Sequence, residues 1–222
     1  MNYLKSITLS LSVILLFSNC FELREEVNVK EDGTGDLKLI INLSESKENV
    51  KKYLGSGDAS GLAIPSQDNI DKILNHINVV VQGVKGLSEV ETKSNYNDYV
   101  FTVSANFDNI EAVNQAVTNV SKQLSYLFVP PLESKNYSYS DNQFVRHFDY
   151  PISADEYKDL PSMQRYVMES ARAVSIYRFG KSIREYSNTK ATLSPSGKAI
   201  MLEAKIGELA SGAATFENQI SF

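Results

Sequence analysis

Two runs of alternating apolar residues, separated by a short acidic turn, constrain the fold of this chain more than any other feature. The turn is Glu31-Asp32-Gly33-Thr34-Gly35. Apolar residues share one parity on each side of it: Leu23, Val27 and Val29 before, and Leu37, Leu39, Ile41 and Leu43 after. Period-two alternation places these side chains on one face of two strands, and Asp-Gly is a frequent hairpin turn. The sequence therefore predicts a β-hairpin at the start of the folded region.

Two helices are predicted after this hairpin. Ser44 is placed as the cap of a short helix that ends near Leu54, and a flexible Gly-Ser-rich loop over residues 55–61 follows. From Ser66 the three-four spacing of apolar residues predicts a longer helix, which Gly83 and Gly86 end.

The same order of elements then repeats. A second hairpin turns at Asn95-Tyr96-Asn97-Asp98 and ends near Phe107, and Asp108 is placed as the cap of a helix to about Leu124. Two hairpins, each followed by a helix, predict an α+β fold: an antiparallel sheet built from β-hairpins, with helices packed on one face.

Pro130-Pro131 is the predicted internal break, because consecutive prolines prevent helix continuation and favour an extended connector. It separates a ββα-ββα half, residues 20–129, from a C-terminal half, residues 130–222. The C-terminal half either forms a second lobe or extends the first sheet. Its predicted elements are a strand over 137–150, a helix over 155–172, and strands over 174–179, 185–193, 199–206 and 215–222, with a turn at Pro195-Ser196-Gly197.

Residues 1–19 have the layout of a secretory signal peptide, with Lys5 before an apolar run from Ile7 to Phe17. A spanning helix needs roughly 20 apolar residues, and this run has about half that number. The run leads to Cys20, which is the only cysteine. This ending resembles the lipobox of bacterial lipoproteins, although Phe17 and Asn19 differ from its usual residues. The resemblance implies cleavage before Cys20 and lipidation of its thiol; the alternative is a plain signal peptide with an incidental cysteine.

The charge of the mature chain argues against some classes of partner. Removing residues 1–19 removes Lys5 and no acidic residue, so 22 − 1 = 21 basic residues face 27 acidic ones, a net charge of −6. Nucleic-acid binding and charge-driven binding to anionic lipid surfaces both rely on clustered Lys and Arg. We therefore expect no nucleic-acid partner, and membrane attachment through the N-terminal lipid alone.

The chain has two histidines, His76 and His147. His76 lies in the helix after Ser66 and is expected at the surface. His147 precedes Asp149 by two residues, a spacing that could orient an imidazole for general-base catalysis, but no Gly-x-Ser-x-Gly motif or catalytic cysteine accompanies it. We expect no enzymatic activity, and a hydrolase that uses His147 and Asp149 is the less favoured alternative.

No metal or cofactor is expected from the remaining motifs. Zinc and calcium sites need several ligands at set spacings, and the acidic segment over 31–36 is better explained as a turn. The loop over 55–61 lacks the Gly-Lys-Ser/Thr ending of a phosphate loop. Aromatic residues at 137, 139, 144, 148 and 150 line a groove or, as the favoured interpretation, form core.

Three short motifs form a recognisable set: the Asp-Gly-Thr-Gly turn after Cys20 near the N-terminus, and Phe179-Gly180-Lys181 and Ser187-Asn188 near the C-terminus. On these residues, both ends of the chain resemble LppM-like bacterial envelope lipoproteins, a family of unknown function. The resemblance implies an α+β domain outside the cytoplasm, with lipid or envelope-component binding proposed for some relatives, and it implies no catalytic residues.

Together these features predict a membrane-anchored envelope lipoprotein that binds a lipid-like ligand or a protein partner. A structural subunit of an envelope assembly is the alternative. Phe21 stands where enterobacterial lipoproteins of the inner membrane have Asp, so the outer membrane is favoured. The periplasmic and cell-surface sides both remain open.

Overall fold

The computed structural model describes residues 21–53, 66–123, 135–147, 154–159, 162, 165 and 169–222. Within these residues the chain forms eleven strands and five α-helices. In chain order they are β1 (Glu22–Val29), β2 (Gly35–Asn42), α1 (Lys47–Tyr53), α2 (Gln67–Gln82), β3 (Leu87–Asn95), β4 (Val100–Phe107), α3 (Ile110–Gln123), β5 (Tyr137–Ser140), β6 (Gln143–Arg146), α4 (Ala154–Asp159), β7 (Arg172–Phe179), β8 (Glu185–Tyr186), β9 (Thr192–Leu193), β10 (Ala199–Lys205), α5 (Ile206–Ala210) and β11 (Asn218–Ser221).

Most described strands belong to one large sheet with the order β3-β4-β2-β1-β7-β10-β9. Both predicted hairpins are confirmed, since β1 pairs antiparallel with β2 and β3 with β4. The sheet is mostly antiparallel, but β1 and β7 pair in parallel, from Glu22 beside Arg172 to Val29 beside Phe179. The parallel pair could not be predicted, because alternation in the sequence indicates which face of the sheet a residue occupies but not the direction in which a distant strand pairs.

A smaller sheet with the order β5-β6-β11-β8 covers the inner face of the large sheet. Ring contacts join the two layers: the centroid of Phe144 lies 5.3 Å from that of Tyr177 and 5.2 Å from that of Phe179. Helix α2 packs against β3 of the large sheet, and helix α3 packs against β4 of the large sheet and β5 of the small one. The predicted α+β class, with helices on one face of a sheet built from hairpins, is confirmed.

The C-terminal half contributes strands to both sheets, and its share of the large sheet agrees with the alternative in which it extends the first sheet. Strands β7, β9 and β10 extend the large sheet, while β5, β6, β8 and β11 form the second sheet. Pro130 and Pro131 lie outside the described residues, as does the loop over 55–61, so the division at the prolines stays a prediction.

The outer face of the large sheet carries an array of ion pairs. Arg172 bonds to Glu22 at 2.8 Å, Arg178 bonds to Glu26 at 2.9 Å, and Arg24 bonds to Glu22 at 2.6 Å. Exposed pairs of this kind stabilise a fold by about 0–1 kcal/mol each. The apolar core therefore lies on the other face, where Val27, Val29, Phe107 and Tyr177 are buried with the rings of the small sheet.

The helix caps differ from the predicted ones. Ser44 opens a 3-10 turn over Ser44–Ser46 and caps nothing with its side chain; its N–H donates to Asn42 Oδ1 at 3.0 Å. At α3 the capping oxygen belongs to Asn109, whose Oδ1 accepts from Ala112 N at 3.1 Å, and not to Asp108. The Ser66 cap of α2 is confirmed, because its Oγ accepts from Asn69 N at 3.3 Å.

Several C-terminal boundaries also differ. The strand predicted over 137–150 is a hairpin, β5 and β6, in its described part up to residue 147, because Asp141-Asn142 forms a tight turn. The strand predicted over 185–193 is two strands of two residues each, in different sheets. Arg172 begins β7 and does not end a helix, and Ile206 begins α5, a helix that the strand-like pattern concealed.

Candidate functional site

The predicted lipidation residue, Cys20, lies outside the described residues, and the fold begins directly after it. The carbonyl of Phe21 accepts from Arg172 N at 2.9 Å, so pairing with β7 starts one residue after the cysteine. Within the described residues, every helix is too short or too polar to cross a bilayer.

His147 extends the ladder of β6, since its N–H donates to the carbonyl of Asn136 at 2.9 Å. Its Nε2 lies 2.9 Å from Ser138 Oγ on the neighbouring strand, and the ring is half-buried. Ser138 and His147 occupy the face of the small sheet that points away from the core, because Phe144 and Arg146 occupy the other. Asp149 lies outside the described residues, so the His147–Asp149 pair remains a hypothesis.

The other predicted polar positions behave as surface features. His76 is exposed on α2, as expected. The acidic turn is held by Asp32, whose Oδ1 accepts from Thr34 N at 3.0 Å and from Thr34 Oγ1 at 2.8 Å. These bonds lower the pKa of Asp32. Among the described residues no three His, Cys, Asp or Glu side chains are grouped for a metal ion.

The aromatic series belongs to the core where it is described. Tyr137 and Phe144 are buried and lie 5.9 Å apart between ring centroids, and Tyr139 packs partly buried against Phe222. The core interpretation is confirmed for these three, and positions 148 and 150 lie outside the described residues.

Burial on the inner face of the large sheet is graded along the strands. The register aligns residues of β1, β2 and β4 in rows. At one end, the row of Val29, Gly35 and Phe107 is fully buried. At the other end, Leu23 is half-buried and Ile41 is 40% exposed, although Phe101 in the same row is buried. Leu39 and Val103, one row further in, are half-buried. One end of the apolar interior is therefore only partly covered.

Burial is also graded along helix α2, whose start is held to the turn between β3 and β4. The hydroxyl of Tyr96, in that turn, donates to Asp71 Oδ1 of α2 at 2.7 Å, and the Tyr96 ring packs edge-on against Phe101, with 5.6 Å between the ring centroids. This contact places the start of α2 beside the β3–β4 turn, at the end of the sheet where Phe101 pairs with Ile41. The apolar residues in the first three turns of α2 are half-buried, while Val80 and Val81 near its end are buried.

We call this region the open apolar end. Its members are aliphatic and half-buried or exposed, and they come from the inner face of the sheet and from α2: Leu23, Leu39, Ile41, Val103, Ile70, Ile73, Leu74 and Ile77. Half-buried aliphatic side chains at one end of a core suit an apolar ligand, because such a ligand completes their burial.

A charged network lies directly beside the open apolar end. Glu25 faces inward in the row of Leu39 and Val103. Its Oε1 accepts from the Tyr177 hydroxyl at 2.7 Å, and its Oε2 lies 3.3 Å from Arg146 Nη2. The Arg146 guanidinium lies 4.8 Å from the centre of the Tyr137 ring, and its Nη1 donates to the carbonyl of His147 at 2.6 Å. The network ties the large sheet to the small one.

The surroundings of the network shift the pKa values of its tyrosines and of Arg146. Burial, reinforced by the negative charge of Glu25, raises the pKa of Tyr137 and of Tyr177 well above the ordinary value. Burial lowers the pKa of Arg146, but Glu25 and the two tyrosines outweigh this effect and raise it, so Arg146 stays a cation. Burial and the hydrogen bond to Asp71 raise the pKa of Tyr96 to about 12.

The network is not among the sites that the sequence predicts, although the sequence carries one signal of it. Glu25 stands at an inward position between Leu23 and Val27, where a strand facing a core otherwise carries apolar residues. A charge at such a position needs a buried partner. The partner, Arg146, lies 121 residues away in the chain, and alternation alone gives no means of choosing it.

The chain has few recognisable relatives among the known proteins compared with it. No family model and no curated protein matches the chain. Among solved structures, the folded domain of Mycobacterium tuberculosis LppM, determined by NMR, resembles it with 9% identity and a TM-score of 0.45, covering 92% of this chain and 90% of that one. A likeness of this degree concerns the path of the chain and assigns no residue a role.

Proposed function

We propose that this protein is a bacterial envelope lipoprotein, anchored by lipid on Cys20, that binds a lipid-like ligand at the open apolar end without catalysing a reaction. The observation that carries the proposal is the graded burial of the inner face, where aliphatic residues of β1, β2, β4 and α2 remain half-buried. Each ligand methylene that is removed from water there contributes about 0.8 kcal/mol.

The anchor and the binding region support each other. Pairing with β7 starts at Phe21, so a lipid on Cys20 would hold the fold within a residue or two of the bilayer surface. The open apolar end includes Leu23 at the start of β1, which places it on the side of the domain nearest to Cys20. A ligand could then pass between membrane and protein over a short distance. We favour the outer membrane, on the strength of Phe21 after the cysteine.

One experiment tests both parts. The Cys20→Ser variant is expected to lose incorporation of labelled palmitate, which the unchanged chain keeps. A soluble form, residues 21–222 exported behind a signal peptide that is cleaved without lipidation, is then titrated with cis-parinaric acid, whose fluorescence rises in an apolar site. We expect micromolar binding, and at least tenfold weaker binding when Ile41→Asp is added, because a carboxylate then occupies the exposed edge of the site.

Val79→Asp is the matched control. Val79 is 68% exposed on α2 and lies outside the open apolar end, so the same change in chemistry should leave binding unaltered. Binding that is absent, or equally weakened by both substitutions, contradicts the ligand proposal. Incorporation of palmitate into the Cys20→Ser variant contradicts the anchor independently.

A hydrolase remains the alternative of a different class, and the contact between Ser138 and His147 is the observation that favours it. A fluorophosphonate probe that labels the protein and fails to label Ser138→Ala would establish it.

A further inference from the structure

An open groove lies on the side of the small sheet that faces away from the core. Its walls are the loop of residues 187–190 and the segment of residues 212–215, and its floor includes Val145, Glu217 and Gln219. Its volume is about 570 Å³, within the range of small-molecule sites, about 300–1,000 Å³. It shares no residue with the open apolar end, so it is a separate surface.

Asn188 holds the two walls together. Its side-chain amide donates from Nδ2 to the carbonyls of Thr215, at 3.0 Å, and Glu217, at 2.9 Å. Its Oδ1 accepts from Lys190 N at 3.0 Å, which shapes the turn of its own loop. One side chain therefore fixes the width of the groove.

Asn218 fixes the position of the first wall from below. Asn218 is fully buried, and its Oδ1 accepts from the N–H groups of Ser187, at 3.1 Å, and Asn188, at 3.0 Å. The hydroxyl of Ser187 in turn accepts from Gln219 N at 2.8 Å. A groove that buried and bridging amides hold in one shape loses little conformational freedom when a ligand binds.

The lining offers hydroxyl and amide groups with balanced charge. Thr189, Thr215 and Gln219 contribute neutral donors and acceptors, and Lys190 and Glu217 contribute one charge of each sign. Val145, Ala213 and Ala214 add small apolar surfaces between them. A sugar ring has a rim of hydroxyls and two faces of C–H groups, so this mixed lining matches its surface.

Other ligand classes fit the lining less well. A phosphate or a polyanion is recognised by several cationic or bidentate donors, whereas the groove has one lysine opposed by a glutamate. A lipid chain needs a continuous apolar lining. No group of three metal-ligating side chains occurs in the described part of the chain.

We propose that this groove is a binding site for a neutral oligosaccharide. The proposal gives a role to Ser187-Asn188, the pair of residues that the sequence analysis singled out and that the open apolar end leaves unexplained. It does not depend on ligand binding at the open apolar end.

The test uses the protein purified as the cell processes it, in a detergent without sugar head groups. Chitotetraose, maltotetraose and isomaltotetraose, at millimolar concentration, are screened by saturation-transfer-difference NMR. We expect at least one of them to bind, and binding to weaken at least tenfold in Lys190→Met/Gln219→Leu, which removes two polar groups of exposed residues. Asn188→Ala should weaken binding similarly by releasing the walls.

Lys72→Met/Gln82→Leu is the matched control, since it makes the same two changes at exposed positions of α2. Binding should be unchanged there. The proposal is overturned if none of the three sugars binds, if groove and control variants bind alike, or if only a glycolipid in phosphatidylcholine vesicles binds while its free sugar does not. Binding of phosphorylated sugars in preference to neutral ones overturns it as well.

Discussion

Glu25 and Arg146 meet inside the protein, where neither charge has enough water to stabilise it alone. The side chain of Arg146 is 9% exposed and that of Glu25 is 17% exposed. Removing one partner of a buried pair leaves the other charge uncompensated, which typically destabilises a fold by about 3–5 kcal/mol. Replacing both by apolar residues of similar volume is often neutral.

We therefore predict that Glu25→Leu lowers the free energy of unfolding by about 3–5 kcal/mol. The substitution removes the carboxylate that compensates the charge of Arg146 and accepts the hydrogen bond of the Tyr177 hydroxyl. The double variant Glu25→Leu/Arg146→Met should be less destabilised than the sum of the two single variants. Urea denaturation of all four proteins measures this coupling.

Arg178→Ala is the control for a pair at the surface. Arg178 is 45% exposed and bonds to Glu26, so its loss should lower stability by less than about 1 kcal/mol. Additive losses in the double variant would show that Glu25 and Arg146 do not stabilise each other.

At the scale of elements, Gly35 controls how closely the first hairpin packs. A Cβ at this position would lie 1.9 Å from the carbonyl oxygen of Asn28 and 2.5 Å from Cζ of Phe107. Both distances are shorter than van der Waals contact, so the strands on both sides of β2 require a residue without a side chain here.

Gly35→Ala is accordingly predicted to destabilise the protein by about 1–3 kcal/mol, the usual effect of overpacking a tight core. The midpoint of thermal unfolding measures it. Gly83→Ala is the control, since Gly83 has a helical φ of −74° and a Cβ there would meet its nearest atom at 3.4 Å. That substitution should be neutral or stabilise by about 0.4–1 kcal/mol. Equal effects at the two glycines would contradict the close approach at β2.

Elements with strong local signals could be predicted from the sequence, and elements that depend on distant contacts could not. The hairpin around Gly33 and the Ser66 cap of α2 are local, and both are found. The pattern predicts one strand where β5 and β6 form a hairpin, because the two-residue turn interrupts the run of aromatic residues only briefly. The five residues of α5 are too few for a helical period to appear.

For the same reason, the sequence predicts only part of the open apolar end. The alternation in β2 and the three-four spacing in α2 predicted which side chains face inward. How completely each is covered depends on how the elements pack, and the contacts that set the packing join distant residues, as Tyr96 and Asp71 do across 25 positions of the chain.

For the molecule as a whole, the parallel pairing of β1 with β7 makes the two halves of the chain parts of one sheet. The buried network spans the same junction, with Glu25 and Tyr177 on the large sheet and Tyr137 and Arg146 on the small one. Because the halves share both a sheet and a buried charge, we expect them to unfold together.

Alkaline pH tests this coupling. The pKa values of Tyr137 and Tyr177 are raised above the ordinary 10.0 in the folded protein, mainly by burial and secondarily by Glu25. Above about pH 10 the unfolded chain releases these two protons while the folded protein keeps them. The stability that they contribute is therefore fully present below pH 10 and falls as pH rises beyond it, by about 1.4 kcal/mol per pH unit for each proton.

We predict that tyrosinate absorbance from the two buried rings and the loss of far-UV circular dichroism rise in one coincident transition above pH 10. Tyr177→Phe removes one of the two protons, so the unfolding free energy of this variant should decline less steeply with pH. Its starting stability is lower, because Glu25 loses a hydrogen-bond donor. Ionisation of either ring well before the dichroism changes would mean that the sheets separate while the rest of the fold persists, and that the network does not join the two halves into one cooperative unit.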